Sequence, residues 1–309
     1  MIEEVVFYSD GFKLRGNLHL PNTTKGREVA IIVCYGYADF KDAPWVYELC
    51  NRLCDMGLIA LRFDYRCSGL SEGMRGRLIC LDQVRDIRNA ITFLKAKYVK
   101  NDMIGLLGYS LGGANVIQTA AVDKRVKFVI SVAGIGDGGR WLYWIFRQNK
   151  GEEAWNEFLK RIEKDRENRV LTGKSEFLDS HTEIVPSPPE VIDHVLRNRK
   201  EFPPPKGPIS KVSIETAESI MEHRPENYVD KISCPTLWIH GDADTLVPVT
   251  ESISMYSKAK CSKKLIIIPG ADHLLLSDPS KKVFDQIVDI IEKWLTELNV
   301  ISGDRRPNR

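Results

Sequence analysis

The segment from Gly108 to Gly112 reads GYSLG, with Ser110 at its centre and a glycine two places away on either side. The pattern GxSxG is typical of a sharp turn between a strand and a helix that exposes a serine hydroxyl for nucleophilic attack. An apolar stretch, MIGLL, precedes the pattern and a small-residue stretch, GGANVIQTAA, follows it, as such a turn requires. The alternative is a glycine-rich turn with an incidental serine. We predict that Ser110 is a catalytic nucleophile.

A serine hydroxyl becomes a good nucleophile when a base takes its proton, and the base is commonly a histidine oriented by a carboxylate. In sites built on such a turn, the chain order is serine, acid, histidine. Two later segments supply the missing groups: HGDADTLVP contains Asp244, and GADHLLL contains His273. Both follow predicted strands, so both belong to the carboxyl edge of a parallel sheet, where open α/β sheets bind ligands. We predict Asp244 as the acid and His273 as the general base, with Asp242 as the alternative acid.

The other histidines fit the role of base less well. His19 lies in an early predicted strand, and His240 ends an apolar strand, where packing is the simpler interpretation. Asp272 directly precedes His273 and is expected to point away from the imidazole that it adjoins. Three further histidines lie in an irregular middle segment of the chain, namely His181, His194 and His223.

Attack on a carbonyl carbon places negative charge on the carbonyl oxygen, which backbone N–H groups stabilise in an oxyanion hole. The donors are expected in the residue after the nucleophile and in the loop after an early strand. Leu111 occupies the first position, and the segment VCYGYADF offers Tyr37 for the second. A small shift in register would move the second donor to Gly36 or Ala38.

The elements that must position these residues alternate along the chain. From residue 29 to about 134, short β-branched runs alternate with helical patterns, and the alternation resumes after Cys234. This order predicts an α/β fold with a mostly parallel central sheet and helices on both faces. Two earlier strands, EEVVFYS and KLRGNLHLP, meet at Asp10 and Gly11, a dipeptide that favours a tight hairpin, and should form the edge of the sheet.

The alternation breaks between residues 137 and 230. An insertion of roughly 90 residues is too long for a plain connection, so we interpret 137–230 as a helical cap on a core made of 1–136 and 231–300, with 301–309 as a flexible tail. Its aromatic residues suit either an apolar substrate cavity or ordinary packing between cap helices. They are Trp141, Tyr143, Trp144, Phe146, Trp155 and Phe158.

Composition excludes several classes of protein. Lysine and arginine number 44 against 42 acidic residues, so a net charge of +2 provides no basic surface for nucleic acid. The acidic, interrupted N-terminus is not typical of a signal peptide, and no apolar run is long enough to span a membrane. The seven cysteines form no metal-ligand spacing and are expected to be reduced and buried. We therefore expect a cytoplasmic protein.

Together, these segments resemble the α/β-hydrolase superfamily over almost the whole chain, especially its capped esterases, dienelactone-hydrolase-like enzymes and serine aminopeptidase-like enzymes. The matching segments are VCYGYADF, LRFDYRCSGLSEG, GYSLGG, HGDADTLVP and GADH. Two positions depart from the family pattern: Tyr35 stands where many relatives have histidine, and Cys67 where they usually have glycine. Neither belongs to the predicted triad, but both bear on the shape of the oxyanion loop and the acyl pocket.

The resemblance and the triad together predict hydrolysis of a carboxylic ester through an acyl-enzyme on Ser110. Thioesterase and peptidase or amidase activities share that intermediate and stay open. A non-catalytic ligand-binding protein on the same scaffold is the alternative of another class. A haloalkane dehalogenase would require aspartate in place of Ser110. The predicted partner is a small-molecule ester or related acyl compound, with no cofactor, no metal and homo-oligomerisation left open.

Overall fold

The computed structural model describes residues 1–22 and 29–302 of the chain. Ten strands run through these residues: β1 (Ile2–Ser9), β2 (Phe12–His19), β3 (Ala30–Cys34), β4 (Ile59–Phe63), β5 (Ile104–Tyr109), β6 (Val126–Val132), β7 (Phe177–Asp179), β8 (Lys211–Ser213), β9 (Thr236–Gly241) and β10 (Lys263–Ile268). Eight of them form one sheet in the order β1-β2-β4-β3-β5-β6-β9-β10. Within this sheet β2 is antiparallel to both of its neighbours, and every pairing from β4 onward is parallel.

The described part of the chain also forms nine α-helices: α1 (Pro44–Asp55), α2 (Cys80–Lys97), α3 (Leu111–Val122), α4 (Gly138–Asn149), α5 (Glu152–Thr172), α6 (Pro189–Glu201), α7 (Glu215–Glu222), α8 (Thr250–Lys258) and α9 (Lys282–Glu297). In α9 the apolar residues Phe284, Ile287, Val288 and Ile291 recur at helical spacing and are buried. One apolar face of this helix therefore packs on the sheet. No helix in the described ranges is long and apolar enough to cross a bilayer.

The central strands are covered on both faces. Every residue of β3, β4, β5 and β9 is buried, which agrees with their continuous apolar sequences. At the edge, β1 and β2 alternate between exposed and buried positions over part of their length. The turn between them places Asp10 and Gly11 at φ values of 48° and 86°, the left-handed conformation that a tight hairpin requires.

A mostly helical insertion separates β6 from β9 and contains α4 to α7 with the small β7–β8 ribbon. Its buried apolar residues form a second hydrophobic cluster together with core residues such as Leu111 and Leu246, distinct from the cluster around the large sheet. The Phe146 and Phe158 rings stack at 4.6 Å, and Trp155 packs edge-on against Phe146 at 5.3 Å. These aromatic side chains join α4 to α5, so their role is packing between helices.

The two ends of the insertion lie side by side. The Gly138 N–H donates to the His223 carbonyl at 2.9 Å, and the Glu226 N–H donates to the Gly136 carbonyl at 3.0 Å. On α8 the buried Glu251 carboxylate accepts the Gly136 N–H at 2.9 Å. Arg140 joins the two acids, with 2.7 Å to Glu251 and 2.9 Å to Glu226. These contacts fasten the two ends of the insertion to each other and to α8 of the core.

The predicted fold class is confirmed: a mostly parallel sheet carries helices on both faces and a helical insertion. The predicted edge hairpin is also present, and β1 is the outermost strand. The division into a core of 1–136 and 231–300 and a cap of 137–230 stays a prediction about independent units. Of the tail predicted for 301–309, residues 303–309 lie outside the described part of the chain.

Candidate active site

Ser110 lies at the turn between β5 and α3, with φ 57° and ψ −123°. This is a strained conformation for a residue other than glycine, and such strain is found where structure fixes a functional group. The flanking glycines make the turn possible. A Cβ at Gly108 would lie 2.1 Å from the Gly112 carbonyl oxygen, and one at Gly112 would lie 2.2 Å from the Cys34 carbonyl oxygen. The GxSxG pattern is therefore a steric requirement of this turn.

The structure brings the three predicted residues together from three different loops. His273 Nε2 lies 3.1 Å from Ser110 Oγ, and His273 Nδ1 lies 2.7 Å from Asp244 Oδ2. All three side chains are buried, with exposures of 7% for Ser110, 4% for His273 and 8% for Asp244. This arrangement can move a proton from the hydroxyl to the imidazole while the carboxylate fixes the orientation of the ring.

Asp244 is held as a carboxylate by its surroundings. Its Oδ1 accepts the backbone N–H groups of Leu246 at 2.9 Å and Val247 at 2.7 Å. Burial raises the pKa of Asp244, but attraction to His273 and hydrogen bonds from His240 and His273 outweigh it, so the pKa lies well below its usual value. The alternative acid is placed elsewhere, since Asp242 is exposed and accepts the Gly270 N–H at 2.6 Å.

His240, interpreted from sequence as a packing residue, has more contacts than that interpretation implies. Its Nε2 lies 2.9 Å from the Val247 carbonyl and 3.3 Å from Asp244 Oδ2, and its Nδ1 lies 2.7 Å from Ser252 Oγ. It is fully buried. His240 therefore supports the loop that carries the acid, and its position four residues before Asp244 was the available sequence signal.

Tyr109 was not singled out from the sequence. Its ring stacks on the His273 imidazole with centroids 5.2 Å apart, and its hydroxyl donates to the His273 carbonyl. The same hydroxyl is buried, which raises its pKa well above the usual value. Tyr109 therefore orients His273 from the side and stays a neutral donor.

The loop after β3 runs beside the nucleophile. A Cβ at Gly36 would lie 3.1 Å from the Ser110 Cβ and 3.6 Å from Ser110 Oγ. Gly36, Tyr37 and Ala38 all line the cavity above the serine, and Leu111 opens α3, where the first N–H groups lack intrahelical partners. The position is suitable for an oxyanion hole. Leu111 and Tyr37 stay predicted donors, with Gly36 and Ala38 as alternatives for the second.

The two departures from the family pattern have structural explanations. The Tyr35 hydroxyl accepts the Tyr65 N–H at 3.0 Å and donates to Ser68 Oγ at 3.1 Å. It therefore ties the loop after β3 to the loop after β4. Cys67 is buried at φ 65°, a left-handed conformation that explains why glycine is common there.

A cavity opens over Ser110 and His273, between the core and the insertion. The core contributes its floor, including Trp45, Tyr109 and Leu274. The insertion contributes most of the opposite wall. These insertion residues are Trp141, His181, Val185, Ser187, Val191, His194, Val195, Asn198, Arg199, Phe202, Pro204, Gly207, Pro208 and Ile209. His181 and His194, considered as possible bases, therefore line the cavity without forming the triad.

Several ionisable groups in the cavity are perturbed by burial. Burial raises the pKa of Asp39 to about 6, although hydrogen bonds from Trp45 and Phe40 oppose the rise. Burial lowers the pKa of His181 to about 4, which leaves that ring neutral at pH 7. Burial also lowers the pKa of Arg199 below its usual value. Sequence reasoning did not single out Asp39 or Arg199, because their shared cavity depends on how the insertion folds back.

The fold and this site define an α/β hydrolase. The family described as serine aminopeptidase, S33, matches residues 27–280, and the chain belongs to it. A protein of Escherichia coli described as an uncharacterized 31.7 kDa protein in the traX-finO intergenic region is 27% identical over 273 residues, covering 85% of this chain and 89% of that protein. The thiohydrolase aneE of Aspergillus aculeatus is 37% identical over 134 residues, covering 42% and 40%.

Solved structures show the same fold. DcsB, solved with its substrate analogue, superposes with a TM-score of 0.80 at 20% identity and covers 96% of this chain and 99% of its own. The α/β hydrolase GrgF from Penicillium sp. sh18 has a TM-score of 0.78 at 23% identity and covers 97% and 99%. An esterase domain from Rhodothermus marinus has a TM-score of 0.62 at 20% identity and covers 96% and 98%.

Proposed function

We propose that the protein hydrolyses a carboxylic ester through an acyl-enzyme on Ser110. The observation that carries the proposal is the unbroken line of contacts from Ser110 Oγ to His273 at 3.1 Å and from His273 to Asp244 at 2.7 Å. A line of this kind activates a serine hydroxyl. Its position at the floor of a cavity gives a substrate carbonyl access to the hydroxyl.

In the first half of the reaction, Ser110 Oγ attacks the carbonyl carbon and its proton passes to His273 Nε2. The tetrahedral intermediate carries its negative charge on the former carbonyl oxygen. The carbon–oxygen bond to the leaving alcohol then breaks, and His273 gives its proton to that oxygen. Asp244 stays ionised throughout and stabilises the imidazolium.

In the second half, water attacks the acyl-enzyme and gives a proton to His273. The bond to Ser110 Oγ then breaks, the proton returns to the serine, and a carboxylic acid leaves. The backbone N–H groups of Leu111 and Tyr37 are the proposed donors to the oxyanion in both halves. Loss of one such donor typically costs about 3 kcal/mol of transition-state stabilisation.

A thioester is the second candidate substrate. The observation that favours it is the 37% identity shared with a relative named as a thiohydrolase. An acyl-enzyme forms in the same way from either compound, because the two differ in the leaving group. We further propose that residues 137–230 act as a cap that determines which acyl compound enters.

The first experiment is labelling with a fluorophosphonate probe, which needs an activated serine. We expect wild type to be labelled, and Ser110→Ala and His273→Ala to remain unlabelled while keeping the wild-type circular dichroism spectrum. The exposed Ser257 provides a matched control, since Ser257→Ala should be labelled at the wild-type rate. Folded wild type that takes no label would overturn the serine-hydrolase mechanism in favour of a non-catalytic binding protein.

Steady-state kinetics then separate the two substrates. Matched p-nitrophenyl esters and acyl thioesters of the same chain length should be compared by kcat/KM. A higher value for the oxygen esters supports the primary proposal, and a higher value for the thioesters replaces it with the second candidate.

A further inference from the structure

The cavity over Ser110 contains an imbalance of charge that the proposed chemistry does not use. Among the described residues, one carboxyl group and two guanidinium groups line it: Asp39 from the core, Arg75 from the loop after β4, and Arg199 from α6. His181 and His194 in the same cavity add little positive charge at pH 7, because burial lowers the pKa of both. Two guanidinium groups therefore face one carboxylate.

In the part of the chain that the structure describes, backbone carbonyls rather than carboxylates accept the hydrogen bonds of the two arginines. Arg199 donates from Nη2 to the Ile209 carbonyl at 3.0 Å, and Arg75 donates to the carbonyls of Gly69, at 3.1 Å, and Gly207. Among the described residues, no carboxylate oxygen lies within the 4.0 Å of an ion pair from either guanidinium. In contrast, the half-buried Arg77 is paired with Glu215 at 2.6 Å.

Asp39 is engaged elsewhere and is a poor partner for these cations. Its Oδ2 accepts the Trp45 Nε1–H at 2.8 Å, and its Oδ1 accepts the Phe40 N–H at 3.0 Å. These bonds hold the carboxylate toward its own loop and the first turn of α1. The charges of Asp39 and Asp179 reach Arg199 only at a distance, where both act against the effect of burial on the Arg199 pKa.

Arg199 is half-buried, and no carboxylate within residues 1–22 and 29–302 accepts a hydrogen bond from its guanidinium. A guanidinium has five N–H donors in a planar fork whose geometry matches a carboxylate. Removing such a group from water is unfavourable unless an anion replaces the lost hydration. A cavity of this composition therefore favours a ligand that supplies the missing anion.

We propose that Arg199 binds a free carboxylate on the substrate, so that the preferred compound is an ester that also carries an acid group, such as a half-ester of a dicarboxylic acid. The inference rests on the proposed function, since it names the substrate class for the same cavity. Arg75 adds a second positive charge at the same cavity and strengthens the preference without pairing directly. The reacting bond stays at Ser110.

The test compares two esters of equal acyl length, mono-p-nitrophenyl adipate and p-nitrophenyl hexanoate, which differ in a terminal carboxylate. The measured quantity is the ratio of their kcat/KM values. We expect this ratio to favour adipate in wild type and to fall by about 10-fold to 100-fold in Arg199→Gln, because a hydrogen bond to a charged group is lost. Arg199→Lys keeps the positive charge but lacks the planar fork. Its ratio of kcat/KM values should therefore lie between those of wild type and Arg199→Gln.

Arg197 on the same helix provides the matched control, because it is exposed and does not line the cavity. Arg197→Gln should retain the wild-type ratio. An equal loss of both activities in Arg199→Gln would show a structural role and overturn the proposal. The proposal would also be overturned if wild type preferred the hexanoate ester to the adipate ester. The same preference for the uncharged ester would have to hold in the glutarate–pentanoate and pimelate–heptanoate pairs.

Binding of adipate, measured by calorimetry on Ser110→Ala, separates this inference from the proposed function. Binding that weakens at least about 10-fold in Ser110→Ala/Arg199→Gln supports the carboxylate site even if wild type cleaves no ester. Ester cleavage together with an absence of adipate binding overturns the carboxylate site and leaves the hydrolase proposal intact.

Discussion

The two walls of the cavity are built in different ways. On the core side, backbone geometry fixes the groups. Ser110 is held at φ 57° by a turn that leaves room only for glycine at positions 108 and 112. Asp244 is held by two backbone N–H groups. On the insertion side, the wall is formed by side chains from α4, from residues 181–187, from α6 and from the proline-rich segment 202–209. The positions of these side chains, such as the half-buried Arg199 and the exposed Phe202, depend on how the insertion folds back.

Under the proposed function, this difference would assign the reaction to one wall and substrate recognition to the other. A catalytic group must stay within a fraction of an ångström of its productive position, and a wall fixed by its backbone provides that precision. A recognition surface needs shape and charge, which side chains can change without moving the backbone. We therefore expect substitutions on the core side to abolish turnover, and substitutions on the insertion side to change which compound is preferred.

The largest expected effect comes from Asp244→Asn. An asparagine keeps the size of the side chain but removes the charge that orients and stabilises His273, so kcat should fall by about 10⁴-fold with little change in KM. Steady-state hydrolysis of a p-nitrophenyl ester measures both constants.

The neighbouring acid is the control for Asp244. Asp242 is exposed and bonded to the Gly270 N–H, so Asp242→Asn should change kcat by less than about 3-fold. A larger loss of kcat in Asp242→Asn than in Asp244→Asn would contradict the assignment of Asp244 as the orienting acid.

The next prediction compares the loss of stability caused by alanine at a glycine of the core and at a glycine of the insertion. In Gly112→Ala the new Cβ would lie 2.2 Å from the Cys34 carbonyl oxygen, so the backbone must move. We expect a loss of about 3 kcal/mol in the free energy of unfolding and loss of fluorophosphonate labelling. Gly173→Ala, at the end of α5 in the insertion, adds a Cβ at φ 71° with no atom within 4 Å, so its cost should be about 1 kcal/mol with labelling retained. Urea unfolding measures the free energy of unfolding of both variants. Equal losses would contradict the difference between the two walls of the cavity.

The smallest effect concerns Asp39, which belongs to the core but faces the insertion. Its pKa is raised by burial from 3.8 to about 6, so between these values the folded state binds a proton more tightly than the unfolded state does. Wild-type stability should therefore decrease as pH rises through this window, by up to about 2 kcal/mol. In Asp39→Asn this decrease should be absent.

Urea unfolding at pH 4, 5, 6 and 7 tests the sign. The stability of Asp39→Asn relative to wild type should rise with pH across the window and then level off. A difference that stays constant, or that falls with pH, would show that burial does not raise the pKa of Asp39.

The sequence predicts the core side well. Ser110, Asp244 and His273 follow from their positions after apolar strands, because a parallel sheet brings the carboxyl ends of its strands to one edge. The edge hairpin follows from Asp10 and Gly11, whose left-handed backbone is a local requirement of the turn. These features depend on short-range patterns, which a single sequence contains.

The insertion side is not predictable in the same way. Nothing near Arg199 or Asp39 in the sequence indicates that they share a cavity, since one lies on α6 and the other in the loop after β3. The aromatic residues of the insertion were equally compatible with lining a cavity and with packing. The structure divides them: Trp141 lines the cavity, whereas Phe146 and Phe158 stack between helices. Such contacts depend on long-range packing.

The hydrogen bonds between the two ends of the insertion have a consequence for how this protein can change over generations. Because residues Gly136–Gly138 are bonded to His223 and Glu226, the chain leaves the core and returns to it at one point. A segment of different length could join the same two ends, because the entropic cost of closing a loop rises only slowly with its length. Recombination at these two junctions would therefore replace the insertion side of the cavity in one step. Ser110, Asp244 and His273 would stay where they are.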